Sequence, residues 1–362
     1  MVRRRILVNT ALVVGSIVTS LCLLEVGLRL YDGIPLLQVK SFAGDYRFKI
    51  GRFMYDERLG WRPMPDLHLS FLKNGVLKTE TTDAYGDRIT GELSSGNATR
   101  GILASGDSFT YGVDVGDGET WPTFLQNMIG TPVTNASSWG WGTDQIIMRA
   151  EDMINLLHPK TLILGVYRGD IQRAELVIDF GAYKPYYSIE VGNLVLNDVP
   201  VPRLGWSRHD FAWARGILGY SYIAIWVAQR LGNWSAENQA KQATPSGTGE
   251  KVTCLLLERL KQRVQGEQMH LMLVMVYDNL DFVHPQPVPA VGVLGCAHQL
   301  GYETVDTWAV FAKIFAFDRA KFDALFVDPD RRSHMSAAGN RLVAEAIAQR
   351  LRDSGSGESS RP

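Results

Sequence analysis

The sequence predicts an α/β protein: a parallel sheet with helices on both sides, held at its N-terminus by a membrane-spanning helix. Three observations carry that prediction. From Gly101 onward, short apolar runs alternate with stretches of helical periodicity, the pattern of strands joined by crossover helices. The run Thr161-Leu-Ile-Leu-Gly-Val-Tyr167 is apolar throughout, as a parallel strand covered on both faces must be. Ahead of both, Arg3, Arg4 and Arg5 precede an uncharged run from Ile6 to Leu24, close to the ~20 residues that a bilayer core requires.

The N-terminal segment, residues 1–32, reads as cytoplasmic arginines followed by a signal anchor. The arginines hold that end in the cytoplasm and send the rest of the chain outside. A cleaved signal peptide is the alternative, but it needs a small-x-small site that Leu21, Leu23 and Leu24 do not supply. Lipidation at Cys22 needs a small residue before it, and Leu21 is large. Glu25 and Arg29, four apart at the outer boundary, are spaced to pair on a helix. Cys254 and Cys296 then lie in an oxidising compartment. They are able to pair there, but Cys254 opens a helical pattern, and simple packing is the preferred reading.

Residues 33–96 form a mixed, β-rich lead-in, read as scaffold. The next segment, 97–353, carries the alternation. Strands are expected at Gly101–Ser105, Pro132–Asn135, Thr161–Tyr167, Leu271–Tyr277 and Glu303–Val305. Helices are expected at Glu119–Ile129, Asp144–Leu157, Lys251–Gln265 and Ser336–Leu351, the last with Ser336 as N-cap. Residues 171–250 break the rhythm with a hairpin turning at Gly192-Asn193, an aromatic helix over Tyr220–Arg230 and a flexible link from Gln242. An insertion at that end of a sheet suits a lid or substrate wall. Residues 354–362 read as a disordered tail.

Composition narrows the function. A formal net charge of −1, with no basic stripe, gives no support to nucleic-acid binding. Three cysteines and seven histidines show no zinc-type spacing, so chemistry without metal or cofactor is expected.

Two segments carry the chemistry. Gly101-Ile-Leu-Ala-Ser-Gly106-Asp107-Ser108 ends an apolar strand in a serine, at the sheet edge where α/β proteins gather their ligands. Serine is a weak nucleophile at its ordinary pKa and needs a base within hydrogen-bond reach. Asp328-Pro-Asp330-Arg-Arg-Ser-His334, just before the last helix, supplies one. The pattern is not the Gly-x-Ser-x-Gly elbow, because Thr110 stands two after Ser108.

Together these blocks resemble the SGNH (GDSL-type) hydrolase superfamily, in its membrane-anchored bacterial form, over residues 97 to 352. The Gly60-Trp61 and Asp83-x-x-Gly86-x-Arg88 segments are similar to lead-in motifs of such proteins, with Asp83 where asparagine is usual. The resemblance implies a three-layer α/β/α, flavodoxin-like fold. It implies a triad of Ser108, His334 and a carboxylate. The family's aspartate stands three before the histidine, a place held here by Arg331; Asp330 is preferred and Asp328 is the alternative. It implies an oxyanion hole from the Ser108 N–H and Gly140, in Asn135-Ala-Ser-Ser-Trp-Gly140. The family's third donor is an asparagine in Gly-x-Asn-Asp. This chain reads Tyr167-Arg168-Gly169-Asp170, which leaves three alternatives: Arg168 swings in, the Gly169 N–H serves, or the hole is weaker.

The implied activity is ester hydrolysis through an acyl-enzyme, on an O-acylated, for instance acetylated, envelope glycan in the periplasm. The expected partners are that ester, the membrane through the N-terminal helix, and no nucleic acid. Acyl transfer to a sugar hydroxyl uses the same residues, and an inactive glycan- or partner-binding protein is the third reading. Trp139, Trp141, Trp121 and Tyr111 near the expected mouth suit stacking on sugar rings and equally suit core packing.

Overall fold

A computed structural model describes residues 2–31, 36, 52–91, 101–202, 220–230 and 240–358. The remainder of the lead-in, of the insertion and of the tail lies outside the described residues.

Five strands form the central sheet: β5 (Ile102–Gly106), β6 (Val133–Asn135), β7 (Thr161–Tyr167), β12 (His270–Val276) and β13 (Glu303–Asp306). All pair in parallel, in the spatial order β13-β12-β7-β5-β6. Numbered along the chain this is 2-1-3-4-5, the flavodoxin-like order, and the switch point lies between β5 and β7. The first crossover runs one way along the sheet and the later ones the other way. With right-handed crossovers, the helices are thereby sent to opposite faces. One layer pairs α3 (Trp121–Ile129) with α11 (Ala337–Glu358); the other joins α4 (Thr143–Leu157), α7 (Gly249–Arg263) and α8 (Val288–Gln299). Both faces being covered, β5 is buried along its whole length and β7 and β12 beyond their first residue.

The expected strands and helices form, with ends shifted by a few residues. Helix α11 departs most, continuing to Glu358 into the segment read as tail. In the insertion, β9 (Tyr186–Glu190) and β10 (Asn193–Asn197) make the expected hairpin, turning at Val191-Gly192. The expected aromatic helix is α6 (Tyr222–Arg230). Lys241-Gln242 (β11) pairs antiparallel with β8 (Leu176–Asp179), so the link begins as an edge strand.

Cys254 and Cys296 are joined in a disulfide, so of the two readings the pairing holds and not the preferred simple packing of Cys254. Helices α7 and α8 lie against each other, and that contact brings the two sulfurs together across 42 residues of chain.

The chain divides into two compact units. One comprises residues 1–52, 180–182 and 204–240. Its helix α1 (Val2–Tyr31) includes Val8–Tyr31, long and apolar enough to cross a membrane, with none of its apolar window buried. Glu25 and Arg29 pair at 2.7 Å, as their spacing predicts. Glu25 also accepts from the Tyr222 and Ile223 N–H at 2.7 and 2.9 Å, satisfying two donors at the start of α6.

The other unit holds 53–179, 183–203 and 241–362, and therefore takes in the described lead-in. That lead-in consists of two hairpins, β1 (Phe53–Asp56) with β2 (Gly60–Pro63) and β3 (His68–Lys73) with β4 (Val76–Thr81), followed by Arg88. The Arg88 side chain is wholly buried. Its guanidinium donates to Asp117 Oδ1 at 2.9 Å and to the carbonyls of Gly112 (2.7 Å), Val115 (2.9 Å), Tyr111 (3.2 Å) and Thr79 (3.2 Å). One residue thus ties the lead-in to the loop after β5. Removing a buried charge's partner strands the remaining polar groups, at roughly 3–5 kcal/mol. Arg88→Met is therefore expected to lower unfolding stability by about that amount in denaturant titration. A change within about 0.5 kcal/mol, the range of ordinary surface substitutions, would refute the role.

Candidate active site

Strand β5 ends in Gly106, where a side chain has no room: a Cβ there would stand 2.1 Å from Thr110 Oγ1 and 2.7 Å from the Gly165 carbonyl on β7. Asp107 then caps a four-residue helix α2 (Ser108–Tyr111), its Oδ1 accepting from the Phe109 N–H at 2.9 Å. Ser108 is the first residue of that helix, at the carboxyl end of β5 and beside the switch point.

His334 comes from the loop before α11. Its backbone is fixed by a bridge between Phe326 and Met335 and by the Val327 N–H donating to its carbonyl at 3.1 Å. Ser336 Oγ donates to the Ala324 carbonyl at 2.7 Å and accepts, at 3.4 Å, from the Gly339 N–H in the first turn of α11. Asn279, after β12, gathers the rest of the loop. Its Nδ2 donates to the carbonyls of Pro329 and Arg331, both at 2.9 Å, and its Oδ1 accepts from the Ser333 N–H at 3.0 Å.

The imidazole reaches back 226 residues: Nε2 lies 2.9 Å from Ser108 Oγ. The other ring nitrogen, Nδ1, lies 2.7 Å from Asp114 Oδ2. Phe109 packs edge-on against the ring at 5.0 Å. Serine, imidazole and carboxylate therefore stand in line, but the carboxylate is not the one expected. Asp330 is exposed and has no hydrogen bond to His334 among the described residues. Asp328 is engaged by Arg331. The physical reason is the loop itself. Wrapped around Asn279 and pinned by Ser333 Oγ to the Asp328 N–H, it has no bulge to swing either aspartate under the ring. Asp114 sits on the short loop after α2, six residues beyond Ser108. An aspartate between Val113 and Val115, close behind the serine, is the one signal for it in the sequence.

Asp114 is held well below the ordinary carboxylate range. Burial pushes its pKa up, but the His334 hydrogen bond and charge, together with Lys73, outweigh burial. It stays ionised wherever the imidazole is neutral, the state an orienting carboxylate needs.

Behind Ser108 lies a second acidic group. Asp107 Oδ2 is 3.2 Å from Ser108 Oγ and 3.6 Å from Arg173 Nη1. Arg173 also donates to Asp170 at 2.6 Å. Asp170 accepts from the Tyr167 N–H at 2.8 Å, ordering the turn after β7. Burial and then the Asp107 charge drive the Asp170 pKa well above its usual range, against the pull of Arg173.

Gly140 lies in the turn ahead of α4, with φ 70°, and the Ser138 N–H donating to the Gly106 carbonyl at 3.2 Å sets that turn against the end of β5. Gly169 lies in the first turn of the short helix α5 (Arg168–Arg173). A Cβ at 169 would stand 2.4 Å from the Tyr167 ring, so an asparagine does not fit there. The ring is held by stacking on Phe109 (4.9 Å) and by its hydroxyl donating to Asp278 at 2.6 Å. Arg168 is committed elsewhere: its guanidinium donates to Asp281 and approaches Asp278 at 3.8 Å. This corrects the expectation of an available Arg168 donor.

Trp121 and Trp141 are wholly buried and Tyr111 nearly so. Trp61 and Trp141 lock the lead-in to the Gly140 turn through indole bonds to the carbonyls of Trp139 and Trp61, both at 3.0 Å. Only Trp139 is half-buried, and its ring packs on Phe53. These aromatics are core. Among the described residues no group of three or more His, Cys, Asp or Glu side chains is placed to hold a metal ion.

No protein-family model matches the chain, and no curated protein matches its sequence. Solved structures do. A lipolytic protein of the G-D-S-L family from Desulfitobacterium hafniense DCB-2 is 12% identical, over 69% of this chain and 98% of that one, with a TM-score of 0.39. An acetyl xylan esterase is 13% identical over 68% and 98%, with a TM-score of 0.40. An α/β-hydrolase enzyme from the metagenome of Lake Arreo, Spain, is 13% identical over 72% and 98%, with a TM-score of 0.42.

Proposed function

We propose that the chain is a membrane-anchored serine ester hydrolase whose triad is Ser108, His334 and Asp114. The unbroken line of hydrogen bonds from hydroxyl to imidazole to carboxylate, at 2.9 and 2.7 Å, carries this reading. In it, His334 Nε2 takes the Ser108 proton as Oγ attacks the ester carbonyl. The same proton passes to the departing alcohol as the acyl-enzyme forms. Water, deprotonated by the same imidazole, then releases the acid and restores the serine. Asp114 holds the tautomer with hydrogen on Nδ1 and stabilises the imidazolium. The tetrahedral oxyanion draws on the main-chain N–H groups of Ser108 and Gly140. The family's third donor is absent at Gly169 for the steric reason given above.

The substrate we propose is an O-acylated glycan of the envelope, acetyl esters foremost, met on the outer side of the inner membrane. Support comes from the triple arginine ahead of the apolar helix, which orients the anchor. The Cys254–Cys296 disulfide adds to it, because such bonds persist in oxidising compartments.

The full-length chain in detergent is expected to hydrolyse p-nitrophenyl acetate, to react covalently with a fluorophosphonate, and to release acetate from acetylated envelope polysaccharide. A wild-type chain that takes up no fluorophosphonate is not a serine hydrolase. One that is labelled but releases nothing from polysaccharide keeps the chemistry and loses the substrate.

A further inference from the structure

The hairpin β3–β4 ends beside the reacting groups. Lys73, the last residue of β3, places Nζ 2.7 Å from Asp114 Oδ1. The imidazole occupies Oδ2, so the carboxylate is held at both oxygens. The hairpin tip is itself fixed, Asn74 Nδ2 donating to the Val327 carbonyl at 3.0 Å, and Val327 in turn holds the His334 backbone. Arg88, downstream on the same lead-in, clamps the carbonyls on either side of Asp114. The segment read as scaffold thus touches every part of the triad's acidic end.

We propose that Lys73 is a positioning residue of the triad: its ammonium takes one oxygen of Asp114, aims the other at the imidazole, and moderates that carboxylate's hold on the imidazolium. The proposal rests on the hydrolase reading of Ser108, His334 and Asp114. Two effects follow from one contact. A carboxylate free to rotate about its terminal torsion presents Oδ2 to the ring only part of the time. Fixed at Oδ1, it cannot turn away. A cation on the same carboxylate also offsets part of the field that favours a charged imidazole.

The surrounding charges leave this task to Lys73. Lys78, on β4, is paired with Glu119 at 2.6 Å. Arg331 and Arg332 are engaged by Asp328 and Asp278. Asp107, with Arg173 behind it, lies on the serine side. Among the described residues, Lys73 is the cation in direct contact with Asp114 besides the imidazole itself. The pair borders a cavity of about 260 Å³.

The test compares wild type, Lys73→Met and Lys73→Arg as full-length chains, reading the pH dependence of fluorophosphonate labelling and of kcat/KM for p-nitrophenyl acetate. Lys73→Met is expected to lose about 10- to 100-fold in kcat/KM, the scale of a small misplacement of a catalytic group. Its acidic limb should move to higher pH. Asp114 no longer shares its charge with an ammonium, so the base is withdrawn by protonation at a less acidic pH. Lys73→Arg should keep the limb where the wild type has it. A purely structural lysine would lower the melting temperature and the active fraction without moving the limb. An unmoved limb in Lys73→Met, with wild type labelled normally, overturns this proposal alone. A wild type that is never labelled overturns the hydrolase reading and this proposal together.

Discussion

Ser108→Ala is expected to lower ester hydrolysis by about 10⁴- to 10⁶-fold, the range over which removal of a triad nucleophile has acted elsewhere. The structure explains why nothing replaces it. Oγ is the hydroxyl within 2.9 Å of the imidazole, and alanine leaves Nε2 with no proton to take. The side chain is almost fully buried between Asp107 and His334, so the substitution removes one oxygen and opens little space. Stability should change by less than about 2 kcal/mol, which separates lost chemistry from lost fold. Turnover of p-nitrophenyl acetate and thermal unfolding of the same preparation decide the matter. An alanine variant that retained even a tenth of the activity would dismiss Ser108 as nucleophile.

The second large effect falls on Asp114. Asp114→Asn preserves shape but offers Nδ1 an amide, favouring the wrong tautomer, and is expected to lower kcat by about 10⁴-fold. Asp330→Asn, at an exposed position without a bond to the ring, should leave kcat within about twofold, as surface changes of this kind do. Measured side by side, the two variants discriminate between the carboxylate that the C-terminal spacing favours and the one the fold supplies. The reverse outcome, a silent Asp114 and a crippled Asp330 variant, would mean that the loop rearranges around the ring in the working enzyme. Asp114 itself, held well below the ordinary carboxylate range by His334 and Lys73, should take no part in acid inactivation where carboxylates ordinarily titrate.

The sheet was legible because its signal is local. Largely apolar runs at 102–106, 161–167 and 270–276 suit the middle of a covered parallel sheet. Ser108 was legible for a related reason, since a strand that stops at Gly-Asp-Ser must turn there. His334 was marked by its place before the last helix. Asp114 was marked only by its nearness to Ser108, and the parts played by it, Lys73 and Asn279 were not legible. Their roles depend on contacts across 220, 41 and 54 residues, which no periodicity records. The disulfide was missed likewise: pairing depends on α7 lying against α8, which the spacing of two cysteines does not reveal. Trp121, Trp141 and Tyr111 were open to two readings, because an aromatic run beside a glycine turn looks alike whether it faces sugar or core.

Ser108 and Asp114 lie six residues apart on a single short segment, while His334 is delivered from 220 residues beyond Asp114. In the proposed triad the C-terminal loop carries no carboxylate and presents one ring. Asn279 gathers that loop through three hydrogen bonds, with Asp328 turned to Arg331 and Asp330 exposed. Assembly is simplified in the same way. Closing one long loop of chain brings the three side chains together, where a carboxylate from a third region would have demanded a second closure with its own entropic cost.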